Sequence, residues 1–253
     1  MSAPAPPKDV SADVPADVPA DVPADVPADS LQDDLIRQGL PSDLILQVTA
    51  YVKSYMAPYD GSHDFAHILR VLGLAHTLRS QDPARYDRVT TILGALLHDV
   101  GDKKYLLPHQ DSATLVRDVL VSFGATDAFA EKVQAIVSAV SYSSEVKDPQ
   151  VVRDVIARFP ELEVVQDADR LDAIGVVGIG RTFTFGGAKG RGMDSTLDHF
   201  DEKLVKVAGS MKTELGRQMA RVRTERLVGF KAMWEEEARE ADGGLECMKE
   251  VLG

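Results

Sequence analysis

A single cysteine, Cys247, occurs among the 253 residues. One thiol can make neither an internal disulfide nor a thiolate zinc site, and it suits a reducing compartment. Long apolar runs are missing as well: no stretch approaches the ~20 residues that a membrane helix needs. The first residues hold no apolar block, so no secretory signal is expected. The expectation is an intracellular, cytoplasmic protein with no membrane partner. Positive charge is in deficit, with a net charge of −12. That counts against general binding of nucleic-acid polymers, where a basic surface is expected. No segment shows strand alternation bounded by hairpin turns, so no sheet is predicted.

What is present is ordinary for a soluble globular chain, with 44% hydrophobic and 27% charged residues. Residues 1–30 stand apart. From Ala12 to Pro27 the unit Ala-Asp-Val-Pro occurs four times, and the segment carries six Asp against one Lys. Proline at every fourth position blocks helix propagation and regular aspartates repel one another, which predicts an extended, disordered tail. The remaining 31–253 is long enough for one domain with a substantial core, and it keeps a net charge of −7. An acidic body that binds phosphates must neutralise them locally, with a metal or with a few placed bases.

The body reads as helix after helix, an all-α fold. Ser42 is placed to cap a helix carrying Leu44, Ile45, Val48 and Val52. Ser62 precedes a second, with Ile68, Leu69, Leu72, Ala75 and Leu78 at helical spacing. A third is expected from Pro83, at a favoured first-turn position, to Gly101. Further helices are predicted over 111–123, 127–142, 149–158, 163–177, 195–215 and 217–240.

Polar residues inside apolar stripes carry the functional information. His67 shares a face with Val71, Leu74 and Leu78, and that face is expected to be buried. Alone, such a histidine is readily explained as a core imidazole bonded to a backbone carbonyl. Asp99 weakens that account: it ends the run Ile92-Leu93-Gly94-Ala95-Leu96-Leu97-His98 on the Ile92/Leu96 face, with no Arg or Lys in the preceding turn. A buried carboxylate must be paired, protonated or metal-bound. The segment 165–176 repeats the anomaly, with Asp169 and Asp172 sharing a stripe with Val165 and Val176. Asp172 has a competing explanation, neutralisation by an Arg or Lys from elsewhere. Two imidazoles and two carboxylates make a mixed N/O set that neutralises a divalent cation.

His67, the adjacent pair His98-Asp99 and the distant Asp169 in an Asp-Arg-Leu context resemble the H…HD…D signature of the HD superfamily of metal-dependent phosphohydrolases. The segments around His63-Asp64-Phe65-Ala66-His67, Leu96 to Lys103 and Gln166 to Gly175 resemble one branch of small stand-alone hydrolases. So do Gly180-Arg181-Thr182-Phe183, the loop Gly186-Gly187-Ala188-Lys189-Gly190 and Ser195-Thr196-Leu197-Asp198-His199-Phe200. The resemblance covers about residues 40–240. It implies an all-α HD bundle holding one divalent ion through His67, His98, Asp99 and Asp169. Manganese is the first choice, with Mg, Co, Ni or Zn as alternatives. Between Asp99 and Asp169 only His109 is available, which favours a single ion over the two-metal branches.

The expected catalytic residues are Asp102, which would orient or deprotonate the attacking water, and Lys103. The competing reading of Asp102 is a loop acid paired with a neighbouring lysine. His63, Arg181, Lys189 and His199 are candidate substrate contacts, Arg181 and Lys189 as phosphate clamps. The glycine-rich segment 186–192 is either a loop that closes over the substrate or an ordinary surface loop; it does not fit the P-loop pattern. The substrate class implied is a small phosphorylated compound, a nucleotide, with nucleoside triphosphate pyrophosphohydrolysis as the specific expectation. Nucleotide phosphatase or phosphodiesterase activity, or a non-catalytic metal-stabilised regulatory module, are the alternatives.

Overall fold

The computed structural model describes residues 30–102, 106 and 110–252, the side chains of 201 and 202 apart. The Ala-Asp-Val-Pro tail, Lys103 and His109 lie outside the described residues. Among the described residues every regular element is a helix, as the absence of strand alternation predicts.

Helices α1 (Leu31–Arg37), α2 (Leu44–Met56), α4 (Arg88–Leu97), α5 (Leu115–Ser122) and α6 (Asp127–Ser138) enclose one apolar core. The stripe Leu44, Val48, Val52 and Met56 on α2 is fully buried in it, and each such side chain contributes about 1.5–3 kcal/mol. Helix α3 (Phe65–Arg79) and α9 (Glu161–Asp172) face a second core, shared with α10 (Gly175–Ala188), α11 (Met193–His199) and α13 (Glu214–Ala238). Short helices α7 (Tyr142–Lys147) and α8 (Pro149–Arg158) join α6 to α9. After α11 come a π-turn at Phe200–Leu204, one turn of α12 (Val205–Val207) and a 3-10 turn at Ala208–Ser210. Helix α14 (Glu240–Leu252) ends the chain with no buried residue.

Helices α3, α4 and α9 pack on one another at the seam between the two cores. Gly94 sets the approach of α4 to α9: a Cβ there would stand 3.2 Å from Cγ2 of Val165. Asp167 fixes the start of α13. Its carboxylate accepts from the backbone N–H of Lys212 at 2.8 Å and from the N–H and hydroxyl of Thr213, both at 2.7 Å. The Thr213 hydroxyl in turn accepts from Gly216 N–H, capping the helix.

Several expected boundaries move. The cap position of α2 is Asp43 rather than Ser42, and α3 follows the cap Asp64 two residues beyond Ser62. The helix expected from Pro83 starts at Arg88, because the Asp87 side chain accepts from Thr90 N–H, while 82–86 form turns on Asp82. It also stops at Leu97, short of Gly101. Three-residue turns follow it, and Gly101 takes a φ of +84° that ends helical propagation. The 163–177 helix is two helices, broken at Gly175 with φ +74°. That break leaves Val176 exposed, off the stripe it was expected to extend. The expected 195–215 helix is interrupted by the π and 3-10 turns, and the 217–240 helix begins at Glu214.

Candidate metal centre and substrate cavity

His67 enters from the first turn of α3, whose N-cap Asp64 accepts from the His67 backbone N–H at 2.9 Å. Its ring is fully buried. His98 and Asp99 occupy the turn just after α4 rather than the helix itself, and Asp169 projects from the last turn of α9. Three elements far apart in sequence thereby deliver side chains to one point. Nε2 of His67 lies 3.0 Å from Nε2 of His98, and both lie 3.7 Å from Oδ1 of Asp169. Oδ2 of Asp99 sits 3.3 Å and 3.5 Å from the same two nitrogens.

The far side of each ring fixes its orientation. Nδ1 of His98 is 2.8 Å from the carbonyl oxygen of Ala95, and Nδ1 of His67 is 2.8 Å from Oδ2 of Asp172. Both partners only accept, so each Nδ1 carries a proton and each ring turns its Nε2 toward the cluster. Two Nε2 atoms at 3.0 Å, beside two carboxylates, call for a positive charge between them, and a divalent cation supplies it. Oδ2 of Asp99 supports the same reading: it is buried with no hydrogen-bond partner, an arrangement that costs stability unless an ion takes it up. Separations of 3.0–3.7 Å between donors fit ligands at about 2.0–2.2 Å from a shared divalent ion. The group His67, His98 and Asp169 has the spacing of a metal site.

Burial pushes the Asp99 carboxyl up, but His98 and His67 outweigh it and hold the group well below the ordinary carboxylate range. Asp172 behaves alike. Burial opposes ionisation, while His67, Arg70 and Arg181 hold it as an anion. Arg70, one turn beyond His67 on α3, grips both carboxylate oxygens at 2.8 Å and 3.1 Å. The neutralisation that the sequence left open for Asp172 is therefore met, and by a residue not singled out there. Its spacing from His67 was the available signal.

The cluster opens into a cavity of about 610 Å³, a nucleotide-sized space. His63, Asp102, Arg181 and His199 line it. Nδ1 of His63 is 2.7 Å from the Ser62 hydroxyl, and its ring meets Phe185 edge-on. Asp102 donates its backbone N–H to the Asp99 carbonyl, and the half-buried residue sits on the cavity wall. Arg181 donates from Nε to the Ser62 carbonyl at 2.7 Å and from Nη1 to Asp172 at 3.1 Å. Lys189 caps α10, with its ammonium 5.5 Å over the Phe185 ring, and is not among the residues lining the cavity. The glycine-rich segment is half helix, since α10 runs to Ala188. Arg170, which also lines the cavity, is pinned by Glu145 and by the Ser210 carbonyl, contacts that no pattern in the sequence announced.

Comparison with known proteins agrees with this geometry. A family model described as HD domain matches residues 64–174. The uncharacterized protein YpgQ of Bacillus subtilis is 37% identical over 175 residues, 66% of this chain and 80% of its own length. The crystal structure of YpgQ in complex with ADP superposes with a TM-score of 0.63 at 34% identity, over 76% of this chain and 97% of that one. A Bacillus thuringiensis HD-superfamily hydrolase matches with a TM-score of 0.50 at 32% identity, over 77% and 96% of the two chains. The chain belongs to the HD-domain family, as a small HD-superfamily hydrolase similar to YpgQ.

Proposed function

We propose that the protein is a divalent-metal-dependent phosphohydrolase acting on a small nucleotide, with nucleoside triphosphate pyrophosphohydrolysis as its reaction. The observation that carries this reading is the convergence of two Nε2 atoms with carboxylate oxygens at the floor of a nucleotide-sized cavity. The ADP complex of the related YpgQ supports a nucleotide as the ligand. The working unit is taken as one HD domain over 31–253.

His67, His98, Asp99 and Asp169 would hold the ion, with manganese preferred. Such an ion would supply Lewis acidity to a phosphoryl oxygen and to the attacking water. The chain's own residues do the rest. Asp102, on the cavity wall in the turn that follows Asp99, orients the attacking water and accepts its proton at the carboxylate. His63 and His199 contact the substrate from the wall. Lys103 follows Asp102 directly and is assigned to phosphate charge. Lys189 is assigned to the same charge from the edge of the cavity, across Phe185. The apolar helices behind the cluster keep bulk water away, which strengthens each charge interaction in the site.

The test is a screen of nucleotides with Mn²⁺, reading orthophosphate against pyrophosphate release, with EDTA controls. Metal-dependent release of pyrophosphate from a nucleoside triphosphate is the expected result. Release of orthophosphate alone would replace the specific reaction by a phosphatase, and no metal-dependent turnover of any nucleotide would end the proposal.

A further inference from the structure

We infer that Arg70 and Arg181 serve the site through Asp172 and His67, as positioning residues for the metal, and that Arg181 is not a phosphate clamp. The inference rests on reading the cluster as a metal site.

Asp172 is almost wholly buried, its side chain 2% exposed. Its Oδ2 lies within hydrogen-bond reach of three donors: His67 Nδ1 at 2.8 Å, Arg70 Nη2 at 3.1 Å and Arg181 Nη1 at 3.1 Å. Arg70 Nε adds a bond to Oδ1 at 2.8 Å. The carboxylate accepts from His67 Nδ1, which fixes the ring's orientation so that Nε2 is the nitrogen turned toward the cluster. Bidentate capture by Arg70 also fixes the carboxylate plane, and hence the direction in which the ring points. With the second guanidinium the assembly keeps one net positive charge close to the cluster, which offsets the two carboxylates there.

The chain spends special backbone to bring Arg181 to this place. Gly175 takes a φ of +74°, and a Cβ at Gly178 would stand 2.3 Å from the Ala173 carbonyl oxygen. Only this turn folds α10 back so that residue 181 returns over residue 172. There Arg181 spends Nε on the Ser62 carbonyl and Nη1 on Asp172, with its side chain 13% exposed. Ser62 precedes His63 and the start of α3, so Arg181 ties the cavity-side ends of α3 and α9 together. A residue employed in this way governs ligand orientation more than substrate charge.

The experiment uses the full chain, stripped of metal, as wild type and as Arg70→Gln, Arg181→Gln and Asp172→Asn. Mn²⁺ affinity is titrated by calorimetry without substrate, and KM for a nucleoside triphosphate is measured at saturating Mn²⁺. Loss of an outer partner of a metal-binding histidine weakens binding by about 10–100-fold, and that loss is expected in each variant, with KM changed by less than about threefold. Arg70→Lys, which keeps the charge and loses the fork, should recover part of the affinity. Should Asp172→Asn fail to fold, Arg70→Gln carries the test, because Arg70 is 35% exposed against 2% for Asp172. Unaltered Mn²⁺ affinity in the variants, or a raised KM with unaltered affinity for Arg181→Gln, overturns the inference. A wild-type chain that binds no divalent ion overturns it together with the metal reading.

Discussion

Removal of the divalent ion is the perturbation with the most direct reading in this structure. Two imidazole Nε2 atoms stand 3.0 Å apart, with Asp99 Oδ2 at 3.3 Å and Asp169 Oδ1 at 3.7 Å from the same nitrogen. The four groups are preassembled at a cost that an ion repays. An ion that binds only the folded chain adds about 2.7 kcal/mol at a hundred times its dissociation constant, and about 1.4 kcal/mol for each further tenfold. In a body of this size each kcal/mol moves the melting temperature by roughly 2–4 °C. Saturation with Mn²⁺ should therefore raise Tm by about 5–11 °C over the EDTA-treated chain, and rise further with concentration. Asp99→Asn keeps the shape and deletes one anion from the cluster. Its metal-free form should melt at or above the wild-type metal-free temperature, and its response to Mn²⁺ should largely vanish. Thermal melts followed by circular dichroism, at several Mn²⁺ concentrations, supply the numbers. A wild-type Tm indifferent to Mn²⁺ and EDTA, or a full response retained by Asp99→Asn, would refute the reasoning.

Asp102→Ala should bind Mn²⁺ with wild-type affinity while kcat falls by about 10²–10⁴; loss of metal as well would move Asp102 into the ligand set. Asp167→Ala removes three bonds from the start of α13 and should cost about 2–4 kcal/mol, read as a lowered urea midpoint at unchanged slope. Glu145 supplies a pH prediction. Burial raises its carboxyl, but Lys212 and Arg170 outweigh this and hold it below its ordinary 4.5. Its stabilising contribution is thus present above that value and lost as pH falls below it. Between pH 6 and pH 4 wild type should lose more stability than Glu145→Gln; equal losses would show that the group does not report on this pair. Deleting residues 1–29 should leave kcat/KM within about twofold, since the cluster and cavity are built from 62 onward.

The helical class was legible because apolar residues recur at helical spacing, and His67 stood out as a polar interruption of such a stripe; the convergence of His67, His98 and Asp169 was implied by the resemblance to the H…HD…D signature. The breaks between helices were less legible. Asp87 and Asp64 cap their helices through bonds that depend on local backbone path, and the chain turns after α4 and between α9 and α10 through positive φ values at Gly101 and Gly175 that composition alone does not announce. The finer electrostatics were least visible. Arg70 lies on the same helix as His67, yet its partner is 102 residues away. Arg170 and Glu145, 25 residues apart, meet between α9 and α7. Such pairs arise from tertiary packing, and no local pattern encodes them.

The narrow approach of α4 to α9 at Gly94 has one more consequence. The HD pair hangs from the end of α4 and Asp169 from α9, so the bare carbon at position 94 works as a spacer gauge for the ion. A methyl group there would push against Val165 and pry the two helices apart by tenths of an ångström. Most of the apolar interior absorbs a shift of that size. An ion at the proposed site, whose bonds tolerate little stretching, would not, so a methyl group at position 94 should weaken metal binding while leaving the chain folded.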